Sequence, residues 1–166
     1  MTSFPETMDQ IINAADKPQS VYLYPGQLVV TGDVRLVTTI LGSCVAVCLW
    51  DQKTMIAGIN HFLLPTNPLR GQSDARYGNT AIEMLIDRMV EQGASTSRLA
   101  AKVVGGAAVM TAFSARRQSI GELNVEVAHE YLKKFAIPIV AEQVGGQRGR
   151  KLLFHTGNGC AYSKEI

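Results

Sequence analysis

Residues 37–65 read VTTILGSCVAVCLWDQKTMIAGINHFLLP, a pattern that predicts a strand, a tight bend, an apolar strand, a turn and a second apolar strand. The bend at residues 42–44 leaves the thiol of Cys44 at the start of the apolar strand, because glycine lets the backbone turn sharply. His61 lies seventeen residues further on, across the turn. Antiparallel strands bring such distant positions side by side, so the hairpin can pair the thiol with the imidazole. That pairing is the simplest way to make a cysteine nucleophilic.

Each residue of this pair also has a purely structural explanation. Cys44 can be a buried core thiol, since free cysteine is among the most buried residue types. His61 can be a hydrogen-bonded core residue. Thr38 and Thr39 can orient a neutral imidazole through a hydroxyl or a backbone carbonyl, or they can be ordinary β-branched strand residues. The residues alone leave these alternatives open.

Other chemistries fit the sequence less well. Cys48 lies inside the apolar run with no glycine bend before it, which predicts a core residue. A zinc site built from Cys44, Cys48 and His61 would lack both the usual tight knuckle and a clear fourth ligand. The chain contains no GxGxxG or GxxxxGK phosphate loop. Ser43 is not in a Gly-x-Ser-x-Gly elbow, which argues against it as a nucleophile.

Length and composition set the broad class. A chain of 166 residues with 46% hydrophobic residues predicts a single globular domain. A net charge of +2 without a basic run argues against nucleic acid as a partner. No segment approaches the ~20 apolar residues of a membrane span, and the N-terminus shows no signal sequence. Three cysteines do not suggest a disulfide framework, so we expect a cytoplasmic protein that does not insert into membranes.

Two helices follow the opening strands in the predicted order. The first is predicted over residues 79–92, with Asn79 as N-cap and Gly93 at the C-terminal turn. The second begins after a capping box made by Ser119 and Glu122. Its predicted apolar face runs down one side as far as Phe135 and comprises Leu123, Val127, Tyr131 and Phe135.

Strands, helix, strand, helix and strands in this order predict an α+β fold with mixed sheets. The last strands are predicted as a closing hairpin over residues 152–156 and 159–162. Residues 1–20 carry only a weak apolar pattern and are predicted to be a flexible leader. We therefore expect one domain over residues 21–166.

The whole set of motifs resembles one known family. The segments that carry the resemblance are LGSCVAV, GINHFLLP, RYGNTAIEMLIDRM, KVVGGA, IGELNVE and GGQRGRKLLF. In this order they are similar to CheD, the chemoreceptor glutamine deamidase family of chemotaxis, over nearly the whole chain. The resemblance implies a layered α/β/β/α fold with mixed β-sheets, similar to the catalytic domain of the cytotoxic necrotising factor toxins.

The resemblance also assigns roles to particular residues. The family's nucleophile falls on Cys44, its histidine on His61 and its threonine on Thr38. Backbone N–H groups around Gly42 and Ser43 are expected to hold the oxyanion. No metal or cofactor is implied.

The implied substrates are glutamines on the cytoplasmic helical bundle of chemoreceptors, which would be hydrolysed to glutamate through a thioester. The same chemistry can act on glutamate methyl esters. The family also implies a partner, the phosphatase CheC. Two other classes stay open at this point: a non-catalytic chemotaxis regulator that binds receptor or phosphatase, and a transglutaminase in which an amine replaces water.

Overall fold

The computed structural model describes residue 4 and residues 18–69, 71–109 and 118–166, and these form nine β-strands and two α-helices. In chain order the elements are β1 (Gln19–Tyr22), β2 (Leu28–Thr31), β3 (Arg35–Leu41), β4 (Val45–Asp51), β5 (Ile56–Asn60), α1 (Gly78–Glu91), β6 (Leu99–Gly105), α2 (Ile120–Lys134), β7 (Ile139–Val144), β8 (Arg150–His155) and β9 (Ala161–Glu165). None of the described helices combines the length and the apolar character needed to span a bilayer.

The strands form two sheets, and each sheet contains one parallel pair. The five-stranded sheet has the order β2-β5-β4-β6-β7, and the four-stranded sheet has the order β1-β3-β8-β9. The parallel pairs are β6 with β7 and β1 with β3, whereas the other neighbours are antiparallel. These mixed sheets confirm the predicted α+β class, and β8 with β9 confirms the closing hairpin.

Strand β4 lies in the middle of the five-stranded sheet and is buried on both faces, as its apolar run predicts. On one face, Val45, Val47 and Leu49 pack in a cluster with residues of both helices. On the other face, Ala46 and Cys48 pack in a second cluster with residues of the four-stranded sheet. The described layers are therefore helices, five-stranded sheet and four-stranded sheet, which is the α/β/β part of the predicted arrangement.

Helix α1 begins one residue earlier than predicted, and its cap is different. The N-cap is Tyr77, which makes no side-chain capping bond. Asn79, the predicted cap, instead accepts a hydrogen bond at Oδ1 from the Asn67 N–H at 3.0 Å. The Asn79 side chain therefore bonds to a loop that packs onto the start of α1 and does not cap the helix. Gly93 follows the helix with a φ of +115°, as its position predicted.

Helix α2 confirms the predicted capping box. The Ser119 side chain accepts from the Glu122 N–H at 3.2 Å, and the Glu122 carboxylate accepts from the Ser119 N–H at 3.1 Å. The buried face differs in part from the predicted one, because it includes Asn124 and Leu132 in addition to Val127.

The first strand begins slightly before the predicted start of the domain. Strand β1 begins at Gln19, which pairs with Arg35 of β3, two residues before the predicted start of the domain at Val21. The exposed, polar start of β1 carries no apolar signal that a sequence pattern could reveal. Phe4 packs against the cluster between the sheets, whereas residues 1–3 and 5–17 of the predicted leader lie outside the described residues.

A lysine side chain enters the space between the sheets without a hydrogen-bonding partner. Lys102 of β6 is 4% exposed, and its Nζ has no such partner in the described part of the chain. The side chain lines a cavity of about 20 Å³ together with Cys48 and Trp50. Burial lowers the pKa of its ammonium group, because the charged form loses its hydration.

Replacing Lys102 with methionine is expected to raise the free energy of unfolding by about 1–4 kcal/mol, because methionine fills similar space without a charge to desolvate. Urea denaturation monitored by circular dichroism measures this change. The same substitution at the exposed Lys133 serves as the control and should shift stability by less than about 0.5 kcal/mol. Equal or lower stability of Lys102→Met would contradict the expectation.

Candidate active site

The predicted bend joins the two sheets. Strand β3 belongs to the four-stranded sheet and β4 to the five-stranded sheet, so residues 42–44 carry the chain from one sheet to the other. Two backbone hydrogen bonds hold this crossing: the Ala107 N–H donates to the Gly42 carbonyl at 2.9 Å, and the Gly106 N–H donates to the Cys44 carbonyl at 2.8 Å. Cys44 itself is only half-buried, and these bonds fix its backbone position.

His61 lies directly after β5, on the strand that pairs with β4. The two strands are antiparallel, and the same register continues to an isolated bridge between Val45 and Phe62. Cys44 and His61 are therefore diagonal neighbours on one face of the sheet, a relation within reach of longer side chains. The predicted hairpin is confirmed, and its register places the thiol and the imidazole on the same side.

A hydrogen bond at Nδ1 fixes the tautomer of the His61 imidazole. Thr39 Oγ1 lies 2.7 Å from His61 Nδ1 and also 2.7 Å from the Leu23 carbonyl oxygen. A carbonyl only accepts and a hydroxyl carries one proton, so Thr39 donates to Leu23 and accepts from the Nδ1–H of His61. The other nitrogen, Nε2, is buried and has no hydrogen-bond partner among the described residues. His61 therefore presents an unprotonated Nε2 that can take a proton.

The threonine whose hydroxyl contacts His61 is Thr39, and the role that the family resemblance assigns to Thr38 stays a prediction. Side chains alternate between the two faces of a strand. On β3, Val37 and Thr39 are 0% exposed and lie on the face toward the other sheet, whereas Thr38 lies on the opposite face with the exposed Ile40. Two adjacent threonines look alike in a sequence, and an offset of one residue reverses the face.

Burial favours the neutral forms of both His61 and Cys44 near pH 7. It lowers the pKa of His61 to about 4. It also raises the pKa of the Cys44 thiol above its ordinary value, an effect that the residue's own backbone N–H partly offsets. The pair at rest is therefore imidazole and thiol, not imidazolium and thiolate.

The second cysteine of this segment is a core residue, as predicted. Cys48 is 2% exposed, and burial raises the pKa of its thiol to about 12. Within residues 18–69, 71–109 and 118–166, no three His, Cys, Asp or Glu side chains are grouped as metal ligands would be.

The bend also offers backbone donors. Throughout the described ranges, neither the Ser43 N–H nor the Cys44 N–H donates a hydrogen bond to a backbone or side-chain oxygen. An N–H group without an oxygen partner, close to a thiol, is the type of donor that stabilises a developing oxyanion.

Sequence reasoning missed one polar residue at the bend. Asn124 of α2 is 0% exposed, and its Nδ2 donates to the carbonyl oxygens of Ser43 and Leu63, both at 2.9 Å. A signal was present, because Asn124 precedes the buried Val127 and Ala128 by three and four residues and so shares their helix face. A polar residue at such a position needs a partner inside the protein.

Comparisons with known proteins give related matches over most of the chain. The family model described as CheD chemotactic sensory transduction matches residues 63–165. The probable chemoreceptor glutamine deamidase CheD 1 of Anaeromyxobacter dehalogenans strain 2CP-C is 44% identical over 146 residues, covering 88% of this chain and 84% of that protein. The probable chemoreceptor glutamine deamidase CheD of Rhodospirillum rubrum is 44% identical over 156 residues, covering 94% of this chain and 86% of that protein.

These two relatives extend the similarity beyond the family model. A match that covers 94% of the chain necessarily includes the bend and His61, which the range 63–165 does not reach. Among solved structures, the crystal structure of the Neisseria meningitidis protein NMB0706, of family DUF152, has a TM-score of 0.43 and 12% identity, covering 78% of this chain and 63% of that chain.

Proposed function

Because this chain belongs to the CheD family, we propose that it is a cysteine hydrolase that converts glutamine side chains of chemoreceptors to glutamate and releases ammonia. The names of its relatives support this reaction and this substrate class. The observation that supports the proposal is the Nε2 of His61, which has no hydrogen-bond partner among the described residues, in a tautomer set by Thr39 and on the same face of the hairpin as Cys44. Such a pair is the minimal machinery for thiol-based acyl transfer.

In the first half of the reaction, Cys44 Sγ attacks the carboxamide carbon of the glutamine while His61 Nε2 takes the thiol proton. The carbonyl oxygen becomes an oxyanion, which the N–H groups of the bend at Gly42, Ser43 and Cys44 stabilise. When the intermediate collapses, the carbon–nitrogen bond breaks and the imidazolium gives its proton to the leaving nitrogen. Ammonia departs and a thioester remains.

In the second half, water replaces ammonia. His61 takes a proton from the water as its oxygen attacks the thioester carbonyl. Collapse of this second intermediate breaks the carbon–sulfur bond, and the imidazolium returns the proton to Cys44. The products are glutamate and the original thiol–imidazole pair. The same steps hydrolyse a glutamate methyl ester, with methanol in place of ammonia.

Magnitudes indicate which task of His61 dominates. An ordinary cysteine is a few per cent thiolate at neutral pH, so full ionisation would gain about thirtyfold. Positioned proton transfer contributes about 10²–10⁴-fold. Since the resting pair is neutral, the principal role of His61 is to move the proton during bond formation and departure, not to store a thiolate beforehand.

The proposed setting follows from the substrate class. The cytoplasmic helical bundle of a chemoreceptor is the proposed partner surface, and the enzyme would act there in the cytoplasm without inserting into the membrane. A CheC-type phosphatase is a second proposed partner, which would compete with the receptor for the enzyme.

The proposal is tested with a purified chemoreceptor cytoplasmic fragment in water enriched in oxygen-18. Peptide mapping by mass spectrometry should find specific glutamines converted to glutamate, each with one heavy oxygen, together with an equal amount of free ammonia. Added primary amines should not become incorporated. Amine incorporation would indicate a transglutaminase, and receptor binding without conversion would indicate a non-catalytic regulator; either result rejects the proposal.

The two adjacent threonines give a matched pair of variants. Thr39→Val is expected to lower kcat for deamidation by about 10–100-fold, because losing a buried hydrogen-bond acceptor costs about 1–3 kcal/mol and leaves the His61 tautomer unset. Thr38→Val, on the opposite face of β3, should leave kcat within about twofold. Steady-state ammonia release measures both. A larger loss of kcat in Thr38→Val than in Thr39→Val would indicate that Thr38, and not Thr39, orients His61.

A further inference from the structure

The backbone pairing between β4 and the His61 strand ends at Val45 and Phe62, one residue before Cys44 is reached. Val45 and Phe62 exchange two hydrogen bonds, with Val45 N–H to Phe62 O at 3.1 Å and Phe62 N–H to Val45 O at 3.0 Å. Beyond this rung, the chains that carry Cys44 and Leu63 make no further backbone bonds to each other among the described residues. The strand ladder therefore does not extend to Cys44 and Leu63, the next pair of residues along it.

The side chain of Asn124 occupies this place. Its Nδ2 donates at 2.9 Å to the carbonyl oxygen of Ser43, which precedes the nucleophile, and at 2.9 Å to that of Leu63, two residues after His61. One amide group thus uses both of its protons to join the two chains. Asn124 thus links the two chains just beyond the hydrogen-bonded pair Val45 and Phe62, where the next pair of the ladder would lie.

The orientation of this amide is determined by its partners. Two carbonyl oxygens face Nδ2, so exchanging the oxygen and nitrogen of the amide would set three oxygens against one another. Asn124 Oδ1 is buried and has no hydrogen-bond partner among the described residues. A protein interior rarely retains an unpaired buried polar atom without a reason. Here the reason is that both donors of the same amide are needed at the bend.

Helix α2 holds Asn124 against the bend through close backbone contact. A Cβ atom added at Gly121 would lie 2.4 Å from the Gly106 carbonyl oxygen and 2.6 Å from that of Ala107, so only glycine permits this approach. The same Gly106 donates its N–H to the Cys44 carbonyl at 2.8 Å. The start of α2, the Gly106 loop and the bend therefore form one connected unit.

We propose that Asn124 is a positioning residue of the active site, which holds the Cys44 bend and the His61 strand at the separation needed for proton transfer. This role rests on the proposed cysteine hydrolase function. Asn124 acts through the two backbone carbonyls and does not itself exchange protons with substrate. Misplacing reacting groups by about 1 Å can cost about 10²-fold in rate, so the loss of this link should appear in the chemical step.

The test compares Asn124→Ala and Asn124→Asp with wild type in the full chain. Both variants should lower kcat per folded enzyme by about 10–100-fold with KM within about threefold, because the substrate surface is unchanged while the pair is misaligned. Asn124→Asp should be at least as impaired, since its carboxylate sets oxygen against both carbonyls. The control is Leu132→Ala, a buried residue of the same helix, which weakens the core without touching the bend.

A second measurement separates positioning from folding and from the function itself. The rate of Cys44 alkylation by iodoacetamide is followed against pH in wild type, Asn124→Ala, His61→Ala and Leu132→Ala, in the Cys48→Ala, Cys160→Ala background. The Asn124→Ala profile should resemble that of His61→Ala, and the Leu132→Ala profile that of wild type. Identical profiles for Asn124→Ala and wild type would overturn the positioning role. Absence of glutamate formation by wild type would instead overturn the proposed function.

Discussion

Cys44→Ala is expected to abolish conversion of receptor glutamines, lowering the rate of ammonia release by about 10³-fold or more. The thioester route needs a nucleophile on the enzyme, and alanine removes it while leaving the bend and its backbone bonds in place. Peptide mapping of a chemoreceptor fragment, combined with a coupled ammonia assay, measures the loss. Because Cys44 is only half-buried, the substitution should change stability little, so the assay reports chemistry and not unfolding.

Cys48→Ala is the matched control, because it removes a thiol from the same segment four residues away. Cys48 is sealed in the core with its pKa raised to about 12 by burial, so it has no route to a thiolate at neutral pH. The variant should keep its kcat and lose about 1 kcal/mol of stability. Full activity of Cys44→Ala, or an equal loss of kcat in both variants, would contradict the assignment of Cys44 as the nucleophile.

His61→Ala is expected to lower kcat by about 10²–10⁴-fold, the usual contribution of a positioned proton carrier. In wild type, the pKa of about 4 means that Nε2 is available as a base throughout the neutral range. The wild-type value of kcat/KM should therefore stay level as pH falls to about 5, and should decline as His61 becomes protonated near pH 4. An ordinary exposed histidine would instead produce this decline near pH 6.5.

The alkylation rate of Cys44 gives an independent measure of the same pairing. In wild type the imidazole is expected to assist loss of the thiol proton, whereas in His61→Ala the thiol should react only as its own raised pKa allows. His129→Ala is the control, since His129 lies at the surface with Glu142 at 2.7 Å. If His61→Ala and wild type were alkylated at the same rate at every pH, the thiol and the imidazole would not be coupled.

The lowered pKa of His61 also affects stability in a defined direction. Between about pH 6.5 and pH 4 the unfolded chain binds a proton on this ring and the folded protein does not, so stability falls as pH falls through this window. Lowering the pKa from its ordinary value to about 4 corresponds to about 3 kcal/mol. In His61→Gln this part of the pH dependence should be absent from thermal or urea unfolding curves.

The predictions that the structure confirms concern features that depend on residues close together in the sequence. The apolar run of β4 predicted a strand that is buried on both faces. The side chains of Ser119 and Glu122 accept hydrogen bonds from backbone N–H groups at the start of α2, as their spacing predicted. The hairpin followed from two apolar runs separated by a polar turn. A prediction was wrong where a residue distant in sequence bonds to the same side chain. The Asn67 N–H donates to Asn79 Oδ1, the group that was expected to cap α1.

The sequence by itself determined which chemical groups are present and in what order: a thiol after a glycine bend, an imidazole across a hairpin, and threonines before them. Only the tertiary structure decided that Thr39 and not Thr38 contacts the ring, that Nε2 of His61 is the free nitrogen, and that Asn124 joins the two chains. The physical reason is that these contacts join segments far apart in the chain. Their partners depend on strand register, on which face a residue occupies and on where a helix packs, and none of these is encoded within a local pattern.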